Sequence, residues 1–128
     1  MKLVFVYGTL KSNHRNNVLL KDSTLINENA IVPGFKLLDV GFPIAIPCKD
    51  SSISGEVYDI SGDNEDTTLA SLDRLEAEGR MYDRKKVKTL DGMDLESDVE
   101  MYVGNSHFWR GDNLMECPKI NNVYTWQR

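Results

Sequence analysis

Two features of this chain could do chemistry: the carboxylate of Glu76, and the run of backbone N–H groups at Tyr7, Gly8, Thr9 and Leu10. Glu76 lies in SGDNEDTTLASLDRLEAEG, residues 61–79, where Asp63 or Asn64 can cap a helix, acidic residues fill the first turn and Gly79 offers a stop. At about 100° per residue, Glu76 falls inside the arc drawn by Leu69, Leu72 and Leu75, whereas Glu78 faces away. A carboxylate on a buried stripe loses hydration, so it either pairs with a buried Arg or hydroxyl or rises in pKa toward the value a general base needs. Both readings are open at this point. The second feature ends the strand-like VFVY in a glycine turn, whose N–H groups could cradle an anion just before a helix. Its spacing is that of neither a phosphate loop nor a dinucleotide site, so a plain strand ending stands beside the anion-binding reading.

Other chemistry is thinly supplied. Cys48 and Cys117 stand far apart without a second cysteine nearby and read as buried free thiols, and neither His14 nor His107 has a second ligand at metal spacing. We therefore expect no metal, and no Ser-His or Cys-His arrangement supports a covalent intermediate. Glu56 alternates with Val57 on a strand and is expected to be exposed, although an inward Glu56 near Glu76 would split two carboxylate pKa values. Tyr7 is expected to pack its ring and direct its hydroxyl to a polar neighbour. Tyr82 could border a pocket, Arg84 could equally be a structural ion-pair partner, and Asn16 could tie the turn to the following helix start.

The elements that must position these groups follow from pattern and turn chemistry. Residues 2–7 alternate as a strand with at least one buried face, and Asn13 can cap a short helix carrying Val18, Leu19 and Leu20. Residues 25–32 and 35–40 suit two strands joined by a turn at Pro33 and Gly34. Residues 42–48 hold two prolines and read as a loop or an edge piece lining something. Residues 54–60 form a strand, the helix of residues 61–79 follows, and residues 82–89 and 95–103 pair through a turn at Leu90, Asp91 and Gly92. The tail from Gly104, with Phe108, Trp109, Tyr124 and Trp126, is too aromatic for a free linker and should fold back over the core. A single domain spanning 1–128 is expected, an α+β fold with a mostly antiparallel, barrel-like sheet.

Composition excludes several classes. With 41% hydrophobic and 27% charged residues the chain reads as globular, and a net charge of −5 opposes a surface that tracks phosphates. The one basic cluster, Arg84, Lys85, Lys86 and Lys88, reads as a solvated strand face or edge, so no nucleic acid is expected. No run approaches a membrane span, and MKLVFVYG is too short an apolar stretch for a signal peptide, so a cytoplasmic protein without membrane contact is expected, a monomer or weak dimer.

The chain resembles the gamma-glutamylcyclotransferase family, the avirulence-induced-gene-like group that includes gamma-glutamylamine cyclotransferases. The matching residues are VFVYGTLK (4–11) with Asn16 downstream, Pro43 after a PGF turn, GEVY (55–58), and LDRLE to YDR (72–84), in the family's order and at about its spacing. They cover roughly residues 1–103. Asn13 stands where many members have Gly, and the tail after Gly104 matches no motif. The resemblance implies a mixed, mostly antiparallel β barrel with flanking helices and a pocket between the YGTL turn and the helix Glu. It implies a small-molecule gamma-glutamyl substrate held by Tyr7, Gly8, Thr9 and Leu10, with Tyr82 at the pocket and Glu76 as acid/base. The implied reaction releases 5-oxoproline and an amine without a cofactor. Two alternatives keep the same pocket: an amide hydrolase or acyl transferase, and a non-catalytic module that binds a small molecule or protein.

Overall fold

The computed structural model describes residues 2–12, 14–90, 96–105 and 115–126. The chain runs β1 (Leu3–Val6), a 3₁₀ turn (Asn17–Leu20), β2 (Thr24–Asp39), β3 (Pro43–Asp59), α1 (Glu65–Leu75), β4 (Tyr82–Leu90) and β5 (Glu96–Gly104). Three two-residue strands close it: β6 (Met115–Glu116), β7 (Lys119–Ile120) and β8 (Val123–Tyr124). The long strands are ordered β2-β4-β5-β1-β3, and β3 pairs back onto β2, so five strands close into a barrel. All of these pairings are antiparallel except β1 with β5. The mixed, mostly antiparallel barrel implied by the family resemblance is the one found.

Alternation along the strands divides the core in two. Phe5 and Tyr7 on β1 and its extension join Val99, Met101 and Val103 of β5 inside the barrel. Val4 and Val6 point the other way, to a second cluster with Tyr58, Tyr102, Leu20 and Leu72 of α1. Both faces of β1 are thus buried, which is why VFV is continuously apolar. The tail returns as expected: Cys117, Tyr124 and Trp126 are buried inside the barrel. Phe108, Trp109 and the turn at Asp91 and Gly92 fall outside the described residues, as does Asn13.

Several local expectations are corrected. The segment at Pro33 and Gly34 is no turn between strands: β2 runs through it, with a register shift between Pro33 and Phe35 and a left-handed Gly34 at φ 88°. That is a bulge, which bends a long strand without ending it. Of the two readings of residues 42–48, a loop or an edge piece lining something, the structure has the second: Pro43 to Cys48 form the first half of β3, and Phe42 and Pro43 line a cavity. Among the described residues this half ladders only with β2, so its missing proline N–H groups interrupt no second ladder. The expected short helix is the single 3₁₀ turn, with Val18 exposed and Leu20 buried.

The helix begins where expected, with Asn64 in the capping position although its side chain makes no capping bond, and ends short of Gly79, at Leu75. The stop is Ala77 in place of Gly79. With φ 48°, Ala77 donates its N–H to the Arg74 carbonyl (3.3 Å) and Glu78 donates to Asp73 (2.9 Å), a paired closure of the last turn. Its inner face is Thr68 and Leu72, while Leu75 is exposed.

Candidate active site

A cavity of about 200 Å³ opens where the end of β1, the start of β3 and the C-terminal end of α1 meet. Tyr7, Gly8, Thr9, Leu10, Glu76 and Tyr82, the six residues singled out from the sequence, all line it.

The turn after β1 is held through its carbonyls. Lys11 donates its N–H to Gly8 (3.0 Å), Asn16 to Thr9 (2.9 Å), and the Asn17 side-chain amide to Leu10 (2.8 Å). Asn16 adds a bond from Nδ2 to the Thr9 hydroxyl (2.8 Å), tying the turn to the 3₁₀ start as expected. The N–H groups of Gly8, Thr9 and Leu10 have no acceptor among the described residues. Such N–H groups are strong donors that ordinarily find a partner, so they suit an anion or a developing oxyanion. Gly8 is required by packing: a Cβ there would lie 2.5 Å from Cγ of Pro43, whose ring closes over the turn.

Glu76 stands one residue beyond α1, at φ −86° and ψ 0°, with its N–H bonded to the Leu72 carbonyl (3.0 Å). It continues the row of Thr68 and Leu72 at four-residue spacing, which brings the carboxylate to the cavity although the helix has ended. Among the described residues no hydrogen bond or ion pair reaches that carboxylate. Burial pushes its pKa from 4.5 up to about 7. The cause is desolvation: the described residues offer the carboxylate no partner, and its pKa is raised rather than held down by a pairing charge.

Its neighbours are fixed. The Tyr7 hydroxyl donates to the Tyr102 carbonyl (2.6 Å) and accepts from the Ala45 N–H (3.3 Å), while Tyr82 donates to the Pro43 carbonyl (2.9 Å). Burial holds both phenols well above their ordinary range, with further contributions from the nearby Glu76 charge. They remain neutral walls, with hydroxyls committed to the backbone. The last turn of α1 is pinned by Asp73, which pairs with Arg84 and accepts from the Tyr102 hydroxyl (2.6 Å). Arg84 also meets Glu100 (3.2 Å). Two stretches of the sequence, LDRLE and YDR, thereby meet in space, and Arg84 is the structural partner.

Glu56 is not exposed: only 7% of it is accessible, with Ser12 and Tyr58 packed on its carboxylate. It is engaged away from Glu76, accepting from the Ser12 N–H (2.6 Å), the Ser12 hydroxyl (2.6 Å) and the Tyr58 hydroxyl (3.2 Å). A carboxylate so bonded clamps Ser12, two residues past the turn. The sequence did not single out Arg15, Phe42, Leu75 and Met81 as site residues, and they too line the cavity. Their only linear signal is proximity to the turn, to Pro43, to Glu76 and to Tyr82. Among the described residues no cluster of three or more His, Cys, Asp or Glu could hold a metal ion, and no helix is long and apolar enough to cross a membrane.

The arrangement can take and return a proton near neutral pH at Glu76, bind an anionic oxygen at the turn, and exclude water with apolar walls. Comparison with known proteins gives a consistent picture. The family model described as gamma-glutamyl cyclotransferase, AIG2-like, matches residues 4–122. The gamma-glutamylcyclotransferase family protein YtfP of Escherichia coli K12 is 32% identical over 87 residues, covering 67% of this chain and 72% of YtfP. The gamma-L-glutamyl-butirosin B gamma-glutamyl cyclotransferase of Niallia circulans is 33% identical over 78 residues, covering 59% of this chain and 46% of that enzyme. The crystal structure of a mouse AIG2-like protein superposes with a TM-score of 0.68 at 23% identity, over 83% of this chain and 78% of that one, which shows a shared fold.

Proposed function

Because the chain belongs to the gamma-glutamyl cyclotransferase, AIG2-like family, we propose that it converts a γ-glutamyl amide to 5-oxoproline and a free amine, with Glu76 as the proton carrier. The α-nitrogen of the substrate forms a bond to the γ-carbon, and the bond from that carbon to the amide nitrogen breaks. Two of the three α-ammonium protons leave the attacking nitrogen, and two arrive on the departing one, which exits as an ammonium. Glu76 accepts from the first nitrogen and returns a proton to the second, a task suited to a carboxyl group with a pKa of about 7. The N–H groups of Gly8, Thr9 and Leu10 bind the glutamyl carboxylate or the oxyanion that forms at the γ-carbon. The walls, Tyr7 and Tyr82 among them, keep the substrate folded, which replaces entropy otherwise lost at the barrier.

One observation carries this reading: an unpartnered, desolvated carboxylate and three unpartnered N–H groups line the same cavity. The test is product analysis over a panel of γ-glutamyl amino acids, γ-glutamyl amines, γ-glutamyl-ε-lysine and glutathione. At least one member should yield 5-oxoproline. Glutamate without 5-oxoproline would mean a hydrolase in the same pocket, and no product from any member would mean a binding module.

A further inference from the structure

The cavity holds one charged side chain that the proposed cyclisation leaves unused. Arg15 lies six residues beyond the Thr9 of the turn and contributes to the lining on the exposed side. Among the described residues its guanidinium has neither an ion pair nor a hydrogen bond. The other cation near the turn, Lys11, is spent on the Trp126 carbonyl (2.6 Å) and does not line this cavity. The formal charges of the cavity lining are therefore the half-buried Glu76 and the exposed Arg15. The remaining outer lining, Phe42, Leu75 and Met81, is apolar.

Consider what a γ-glutamyl substrate offers these groups. Every such compound carries an α-ammonium, which belongs with Glu76, and an α-carboxylate, which the three N–H groups of the turn can take. Neither needs a second cation. A leaving group that is itself an amino acid adds a second carboxylate beyond the scissile bond, and Arg15 is the cation the lining offers it among the described residues. A free guanidinium there supplies two parallel donors matched to a carboxylate, whereas a simple amine leaving group offers it nothing. With a net charge of −5 on the chain, an anionic substrate also gains from a local cation where it enters.

We infer that Arg15 makes the enzyme select γ-glutamyl amino acids over γ-glutamyl amines by pairing with the carboxylate of the leaving group. This rests on the cyclotransferase reading above.

The experiment compares γ-glutamyl-alanine with γ-glutamyl-ethylamide, which differ in that one carboxylate. The rate of 5-oxoproline release is followed for the parent, Arg15→Gln and Arg15→Lys. The parent should favour the alanine compound in kcat/KM by roughly 10- to 100-fold, the range expected of a hydrogen bond to a charged group. Arg15→Gln should bring the ratio near one, mainly through KM for the alanine compound, and Arg15→Lys should restore part of it. A parent that treats the two compounds alike, or an Arg15→Gln variant that loses equally on both, overturns the inference. If neither compound yields 5-oxoproline, calorimetric binding of the same two compounds to the Glu76→Gln protein still decides. Tighter binding of the alanine compound that Arg15→Gln abolishes supports the inference, and equal binding overturns it, whatever becomes of the lactam chemistry.

Discussion

At Glu76 the same desolvation that equips a base also costs stability, and the two consequences can be measured separately. Because its carboxyl must be ionised to accept the substrate proton, kcat/KM should rise with pH through an acidic limb near 7. A limb at 4 to 5, the ordinary carboxyl range, would mean that Glu76 is hydrated or is not the base. Folding, by contrast, favours the neutral form, since the folded pKa lies above the 4.5 of the unfolded chain. That contribution is fully present below about pH 4.5 and is lost as the pH rises through about 7. Glu76→Gln carries no charge, so it should match the parent in urea unfolding at pH 4 and exceed it at pH 8, by on the order of 2–3 kcal/mol. An unchanged difference between the two pH values would contradict the buried setting of the carboxylate.

At the scale of elements, the site depends on how closely β1, β3 and α1 approach. Gly8→Ala puts a Cβ 2.5 Å from Cγ and 3.1 Å from Cδ of Pro43, and a proline ring cannot swing aside. The turn must move instead. Overpacking of this kind costs about 1–3 kcal/mol, so the variant should melt earlier and lose turnover as its N–H groups leave their positions. Retention of full stability and activity would show that the turn does not rest on Pro43. How much of this was legible in the sequence varied with the range of the interaction. The alternation of β1, the glycine turn and the inward phase of Glu76 are local, and they were read correctly. A left-handed Gly34 serves a turn and a bulge equally, and only the β3 partner decides, which no local pattern contains. Pro43 and Pro47 argued against a central strand and left a loop or an edge piece; their half of β3 ladders on one side among the described residues, which the sequence does not say by itself. The helix was read too long because Gly79 is the better local stop, whereas the chain turns at Ala77. Glu56 looked exposed by residue type, and its burial follows from a long-range contact, the loop carrying Ser12.

For the whole molecule, closure of the barrel is what makes a cavity at its end. The parallel pairing of β1 with β5 and the return of β3 onto β2 leave no open edge among the five long strands. The tail completes the interior: Cys117, Tyr124 and Trp126 are buried there, and the Trp126 carbonyl accepts from Lys11, next to the turn. Deleting residues 117–128 removes three core side chains. The aromatic pair alone is worth roughly 1.5–3 kcal/mol each, against a typical total of about 5–15 kcal/mol. The truncated chain should lose its cooperative thermal transition, and a melt like that of the parent would show the tail to be dispensable.

The central proposal is a proton moved by Glu76 within the cavity. The most direct test is 5-oxoproline release from the best γ-glutamyl substrate at pH 7, compared between the parent and a Glu76→Gln variant shown by circular dichroism to be folded. An amide cannot accept the proton, so release should fall by about 10²- to 10⁴-fold. A folded Glu76→Gln protein that forms 5-oxoproline at the parent's rate would contradict the account.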